Sequence, residues 1–183
     1  MPVIEFMKLN QNVKKEIFEW IKEIIFVTTL GFLITTFVFQ GTKVVGESMY
    51  PTLKNNDRLF INKAVFLTEK PKRGDIVILD APYEKKTYIK RIVGLEGETI
   101  EIKNGQIYIN GTLLKEEYLD EDIITNSKDK SLWKIPKNHV FVIGDNRLNS
   151  NDSRNFGPIE IKKVRGKAFF RFFPFGEEFG VLN

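Results

Sequence analysis

The sequence has no cysteine and a single histidine, and both scarcities narrow the chemistry that it can support. Without cysteine there is no disulfide, no thiolate metal site and no cysteine nucleophile. Because His139 is the one imidazole, a Ser-His-Asp triad would have to use it. We interpret His139 instead as a structural or half-exposed residue, and we expect neither a cofactor nor a metal.

Neither sign of charge is in large excess. The net charge is +4 over 183 residues, which is too small and too evenly spread to indicate a nucleic-acid partner. A mildly basic chain is also compatible with anionic lipid headgroups. The length allows one domain plus an anchor, or two very small domains.

One long run, from Ile24 to Thr42, contains no charged residue. A helix of that length would span roughly 28 Å, close to the ~30 Å hydrocarbon core of a bilayer. A buried core helix is disfavoured because apolar residues occur on all sides. A cleavable secretory signal is disfavoured because Lys43 and Val44 follow where small residues are needed.

Four lysines precede this run: Lys8, Lys14, Lys15 and Lys22. This flank predicts a cytoplasmic N-terminus and a single pass through the cell membrane. The resulting division is a cytoplasmic segment (1–23), a transmembrane helix (24–42) and an extracytoplasmic domain (43–183), which contains all the candidate catalytic residues considered below. The residues just before the run have helical periodicity and are expected to continue the same helix.

After Thr42 the pattern changes to short runs with a period near two, punctuated by Gly, Pro and Asn. Asn104-Gly105 and Asn110-Gly111 predict tight turns of a β-meander. No long helix is predicted there, and the fold class is mainly β, as a small barrel or a pair of packed sheets. The segment from Tyr118 to Trp133 is expected to be loop. For the phenylalanine-rich segment Ala168 to Phe175 we favour the core over a bilayer contact.

Two residues with catalytic potential lie in distinct settings. Ser48 stands between Gly46 and Pro51, in a turn that would hold its hydroxyl rigidly. Lys90 lies in a strand next to Ile89, where apolar surroundings would lower its pKa. Each also has an ordinary interpretation, as a solvated turn serine and as an edge lysine whose ammonium reaches water.

A third segment, residues 144–154, is dense in short polar side chains and arginines. Such a composition is typical of a loop held by its own hydrogen bonds, and its ion pairs could position Ser150. A Ca²⁺ loop is disfavoured because the arginines oppose a cation.

Taken together, four ordered motifs resemble the bacterial type I signal peptidases, from the apolar run to near the C-terminus. The motifs are Ser48-Met49-Tyr50-Pro51-Thr52-Leu53, Arg73-Gly74-Asp75-Ile76-Val77, Tyr88-Ile89-Lys90-Arg91-Ile92-Val93-Gly94-Leu95, and Gly144-Asp145-Asn146-Arg147 with Asn149-Ser150 and Asp152-Ser153-Arg154.

The resemblance implies a role for each matched residue. Ser48 would be the nucleophile and Lys90 the general base of a serine–lysine dyad. Ser150 would orient the lysine through a hydrogen bond, and Asp152 and Arg154 would form a supporting salt bridge. The implied activity is removal of signal peptides from secretory preproteins through an acyl-enzyme, cutting after small residues in Ala-x-Ala-like sites. The implied partners are those preproteins and the lipid bilayer, with the protein acting as a monomer and binding no nucleic acid.

The resemblance also suggests shallow substrate pockets, for which core packing is an equally good interpretation. The candidates are Val44, Gly46, Met49, Ile78, Tyr88 and Ile89. The backbone N–H of Ser48 is the expected oxyanion donor. Gly46 departs from members that carry a helping serine there, Leu148 from those with Asp, and Glu96 from those with Pro. A large second β domain is not expected.

Two other functions share some of these features. A self-cleaving repressor or mutagenesis protein uses Ser-Lys chemistry but needs a DNA-binding helix-turn-helix or a self-cleavage site and no membrane span, so the apolar run argues against it. An anchored β domain that only binds peptides would not need both Ser48 and Lys90 in matched motifs.

Overall fold

The computed structural model describes residues 2–120, 122–128, 130–176 and 178–182, without the side chains of residues 2–12 and 37. Met1 and Asn183, which begin and end the predicted domain division, lie outside it. The chain separates into two units, Met1–Val38 and Phe39–Asn183.

The first unit is one helix, α1 (Pro2–Phe37). It runs through the apolar segment and the residues before it, as predicted, and the Thr28 hydroxyl donates to the Ile24 carbonyl at 2.7 Å. No helix in the described part of the chain combines the length and the apolar character that a membrane crossing requires. The predicted helix 24–42 is wrong at its C-terminal end: it stops at Phe37, because Phe39–Lys43 pairs as a strand instead.

The second unit is mainly β, as predicted, and its two short α-helices are α2 (Val65–Thr68) and α3 (Ser153–Phe156). Its strands are β1 (Phe39–Lys43), β2 (Arg58–Asn62), β3 (Ile76–Asp80), β4 (Thr87–Gly94), β5 (Thr99–Lys103), β6 (Gln106–Ile109), β7 (Thr112–Leu113), β8 (Leu132–Lys134), β9 (His139–Ile143), β10 (Ile159–Glu160), β11 (Val164–Phe173) and β12 (Gly180–Val181).

Eight strands form the larger sheet, in the order β1-β2-β11-β3-β4-β9-β10, with β12 paired to β11. Its described strands do not close into a barrel, because β1 and β10 remain the two ends of the order. The alternation along β3 explains how both faces are covered: Ile76 and Ile78 enter one buried cluster, and Val77 and Leu79 enter another. The described part of the chain is therefore mainly β, with an open sheet in place of a closed barrel.

The smaller sheet, in the order β7-β6-β5-β8, begins with the predicted meander. Asn104-Gly105 and Asn110-Gly111 all have positive φ, which matches the tight hairpin turns that these dipeptides favour. A buried cluster joins Ile100 and Trp133 of this sheet to Phe141 of β9. The predicted loop from Tyr118 to Trp133 therefore ends early, because Trp133 fills this core as part of β8.

The phenylalanine-rich end of β11 is not the core strand that was favoured. None of the five phenylalanines in the segment Ala168 to Phe175 is fully buried, and Phe173 and Phe175 are exposed. The inward positions of β11 are taken by Ala168 and Arg171 instead.

Ile100 lies at the centre of the cluster that joins the two sheets and is completely buried. Ile100→Ala is expected to lower the free energy of unfolding by about 2–5 kcal/mol, since the cavity cannot close fully. Leu113→Ala, at a half-exposed position of the same sheet, should cost less than about 1 kcal/mol. Denaturant unfolding measures both, and equal losses would contradict the assignment of this core.

Candidate active site

The turn that carries Ser48 lies between β1 and β2 and is held from both sides. Gly46 has φ 90°, a conformation that glycine adopts readily, and its N–H donates to Asn55 Oδ1 at 3.0 Å. Asn146, from the loop after β9, donates its backbone N–H to the Ser48 carbonyl at 3.1 Å and its side-chain amide to Glu47 O at 3.1 Å. Met49 is buried below, so the serine has a fixed backbone.

Lys90 lies in β4 and reaches the Ser48 hydroxyl. Its Nζ donates to Ser48 Oγ at 2.8 Å and to the Ile89 carbonyl at 2.9 Å, and it lies 5.0 Å from the centre of the Tyr88 ring. Only 2% of Lys90 is exposed. The structure thus brings together the two residues that the sequence singled out.

Burial lowers the pKa of Lys90 to about 8. Asp152 and Asp145 act in the opposite direction, while the nearby Arg154 guanidinium lowers the pKa further. Burial is the largest of these effects, because an ammonium ion that loses its water is destabilised relative to the neutral amine. A substantial fraction of Lys90 is therefore neutral near pH 8.

Ser150 does not make the predicted hydrogen bond to Lys90. Its buried hydroxyl finds no hydrogen-bond partner among the described residues. It packs against Gly144, where an added Cβ would lie 2.2 Å from Ser150 Oγ and 2.4 Å from the Ser48 carbonyl oxygen. Ser48 and Ser150 therefore both lie against Gly144, although Ser150 does not form the hydrogen bond that would orient Lys90.

Asp152 and Arg154 form the predicted ion pair, with Arg154 NH2 donating to Asp152 Oδ2 at 2.9 Å and Nε to Oδ1 at 2.9 Å. Asp152 is fully buried, caps α3 by accepting from the Arg154 N–H, and also accepts from the Gly144 N–H at 3.0 Å. The pair thus fixes both ends of the loop from Gly144 to Arg154.

Sequence reasoning did not identify a second buried ion pair, between Arg91 and Asp145. Arg91 Nε and NH2 donate to the two carboxylate oxygens at 3.0 and 2.8 Å, and each side chain is 1% exposed. The Arg91 guanidinium also donates to Gly74 O at 3.0 Å and lies 3.9 Å from the centre of the Tyr118 ring. The hint that the sequence offered for a role of Arg91 near the site was its position directly after Lys90.

A cleft of about 800 Å³ opens beside Ser48 and Lys90. Five of the six predicted pocket residues line it, and Gly46 does not: the five are Val44, Met49, Ile78, Tyr88 and Ile89. Val44, Met49 and Ile78 also belong to one buried core cluster, so the two interpretations of these residues are compatible. Gly46 instead shapes the backbone of the serine turn.

His139 lies at the start of β9, half-buried, with its Nδ1 2.8 Å from the Lys137 carbonyl. None of its hydrogen bonds within the described part of the chain reaches Ser48. This geometry agrees with a structural imidazole.

With this geometry in place, comparisons with known proteins define the class. The family profile described as "Signal peptidase, peptidase S26" matches residues 17–173. The chain is 45% identical over 169 residues to signal peptidase I P of Bacillus subtilis subsp. natto, covering 88% of this chain and 91% of the relative. It is 36% identical over 180 residues to signal peptidase IB of Staphylococcus aureus (strain COL), covering 90% and 93%.

A crystal structure of a signal peptidase I from Enterococcus faecalis V583 is 31% identical, with a TM-score of 0.45, and covers 54% of this chain and 97% of that one. On the family match and the curated relatives, the chain belongs to the signal peptidase I family of S26 peptidases. It is accordingly a serine endopeptidase, a hydrolase that removes signal peptides.

The pKa of Lys90 sets the expected pH dependence. A general base acts only when neutral, so kcat/KM should rise with pH through an apparent pKa near 8 and level off above it. Lys90→Arg should be inactive throughout, because a guanidinium keeps its proton. His139→Ala should keep both the activity and the rising limb. If the rise of kcat/KM with pH disappeared in His139→Ala while Lys90→Arg stayed active, His139 would be the general base instead of Lys90.

Proposed function

We propose that Ser48 is the nucleophile and Lys90 the general base with which this signal peptidase cleaves its substrate. The observation that carries the proposal is the 2.8 Å contact between Lys90 Nζ and Ser48 Oγ in a site that is buried enough to lower the pKa of the lysine. A neutral amine at that distance can accept the hydroxyl proton as the oxygen attacks.

The first half of the reaction forms an ester with the enzyme. Ser48 Oγ attacks the scissile carbonyl carbon while its proton passes to Lys90 Nζ. The Ser48 backbone N–H makes no hydrogen bond to any described residue, so it is available to the oxyanion. As the tetrahedral intermediate collapses, the C–N bond breaks and Lys90 returns the proton to the departing amine.

The second half releases the signal peptide. Water attacks the ester carbonyl and gives a proton to Lys90 Nζ. The C–O bond to Ser48 then breaks, and the proton returns to Ser48 Oγ. Ser150, Asp152 and Arg154 take no proton in this scheme: the ion pair supports the loop, and Ser150 is assigned the orienting role once substrate is bound.

The substrate is expected to bind as an added strand. Along Thr87–Lys90, β4 has β3 on one side and no described strand on the other, because β9 pairs with β4 only from Arg91 onward. An extended peptide can use that free side. Val44, Ile78 and Ile89 line the cleft, and we assign them to shallow pockets that would favour small side chains such as Ala at the first and third positions before the cut.

We further infer attachment to the cell membrane, with a cytoplasmic N-terminus and an extracytoplasmic catalytic unit. The charge-free run that begins at Ile24 and the lysines before it support this orientation. Separately, the catalytic unit exposes Phe173, Phe175 and Phe179, with Arg58 5.4 Å from the Phe173 ring. Aromatic rings beside a cation suit the interface between lipid headgroups and acyl chains.

Ser48→Ala tests the central assignment. Cleavage of a preprotein should fall by about 10⁴-fold or more, because no other group takes the place of the hydroxyl. The free energy of unfolding should change by less than about 1 kcal/mol, since the hydroxyl makes one hydrogen bond. Cleavage by Ser48→Ala at the wild-type rate would refute the assignment.

Protease protection tests the orientation. Protease added to intact cells stripped of wall or outer membrane should digest the region after Thr42 and leave the first twenty residues protected. An epitope tag at each end, detected by immunoblotting, reports the two regions separately. A protected catalytic unit with a digested N-terminus would reverse the proposed topology.

A further inference from the structure

The segment between β7 and β8 contacts the loop from Gly144 to Arg154 through an ion pair that the dyad itself does not use. Glu116 accepts from Arg147 NH2 at 2.6 Å and from NH1 at 2.8 Å. The side chains are 14% and 1% exposed respectively, so the pair is shielded from water. Nothing in the sequence around Glu116 signals this contact.

Arg147 joins two parts of the structure. Its Nε donates to Gly144 O at 3.2 Å, and its NH1 also donates to the Thr125 hydroxyl. Its backbone carbonyl accepts from Arg154 NH1 at 2.8 Å. The guanidinium therefore lies between the loop and the segment that carries Glu116 and Thr125.

The same loop controls the position of both catalytic residues. Asn146, directly before Arg147, holds the Ser48 carbonyl at 3.1 Å, and Asp145 holds Arg91, the neighbour of Lys90. Gly144 packs against Ser48 with no room for even a methyl group. A shift of the Arg147 side chain would therefore move the loop against the serine and the lysine together.

We propose that Glu116 is a positioning residue for the Ser48–Lys90 pair and acts through Arg147. A buried guanidinium without its carboxylate is strongly destabilised and turns toward water, which would draw the Gly144–Asn146 backbone with it. Loosening of this loop would admit water to Lys90, and the ammonium would become easier to form. The inference rests on the proposed function, because it assigns Glu116 to the same dyad.

The experiment compares Glu116→Gln with Glu117→Gln in the full-length, detergent-solubilised protein. Glu117 is the neighbouring carboxylate; its side chain is 77% exposed and pairs with Lys115 on the surface. The substrate is a peptide with Ala at the first and third positions before the cut. Glu116→Gln should lower kcat by about tenfold or more with KM nearly unchanged, and should move the rising limb of the pH profile to higher pH. Glu117→Gln should change neither quantity.

Further results with these variants and two others decide the matter. The proposal is overturned if Glu116→Gln has the same kcat and the same rising limb of the pH profile as Glu117→Gln. It is also overturned if kcat falls only in proportion to the unfolded fraction while the limb keeps its position. If Glu116→Gln does not fold, Tyr118→Phe, which removes one hydrogen bond to Glu116, substitutes for it. For Tyr118→Phe, a smaller fall in kcat than that expected for Glu116→Gln, with the pH limb again moved to higher pH, supports the proposal. A wild-type kcat and pH profile in Tyr118→Phe overturns it. Ser48→Ala, measured in parallel, separates the two hypotheses, since its activity would refute the dyad itself.

Discussion

The site depends on one amine that is kept away from water. In the proposed mechanism Lys90 serves Ser48 only while it is neutral, and its pKa is lowered to about 8 because β4 places it in the interior with a serine oxygen and a backbone carbonyl as its contacts. Two buried carboxylates, Asp145 and Asp152, favour the charged form even in their ion pairs with Arg91 and Arg154. Burial outweighs them, and the Arg154 guanidinium adds to its effect, so the pKa of the lysine stays lowered.

Those ion pairs also explain how so polar a loop is held in one conformation. Asp152 forms an ion pair with Arg154 and accepts a hydrogen bond from the Gly144 N–H. Asp145 forms an ion pair with Arg91, and Glu116 forms one with Arg147. Buried pairs of this kind contribute little net stability, because desolvation offsets most of their attraction. They do specify geometry, since each arginine has few orientations in which all its donors are satisfied. The loop is thereby defined by side chains from β4 and from the segment after β7.

Much of this arrangement could be predicted from local pattern. The turns at Asn104-Gly105 and Asn110-Gly111 depend on residues adjacent in sequence, and Ser48 and Lys90 were singled out because their motifs are local too. The end of α1 was missed because pairing of Phe39–Lys43 with β2 is a tertiary contact that hydropathy does not register. Glu116 was missed for the same reason: its partner is 31 residues away, and neither position has a distinctive neighbourhood. The exposure of Phe175 could not be predicted from composition, which shows aromatic content and not which face is covered.

One side of β4 pairs with no described strand along part of its length, and if substrate binds there as proposed, this limits which chains can be cut. From Arg91 onward its second side belongs to β9, so a bound segment can run alongside it only for the stretch Thr87–Lys90 before it must turn away. A polypeptide can meet that demand where it is unstructured and free to extend. In the helices and sheets of a folded protein, the backbone groups are already hydrogen-bonded to one another and cannot pair with β4. In the proposed binding mode, discrimination between the signal peptide and the mature protein therefore depends partly on chain flexibility, and a solvent-exposed active site would spare the folded proteins that it releases.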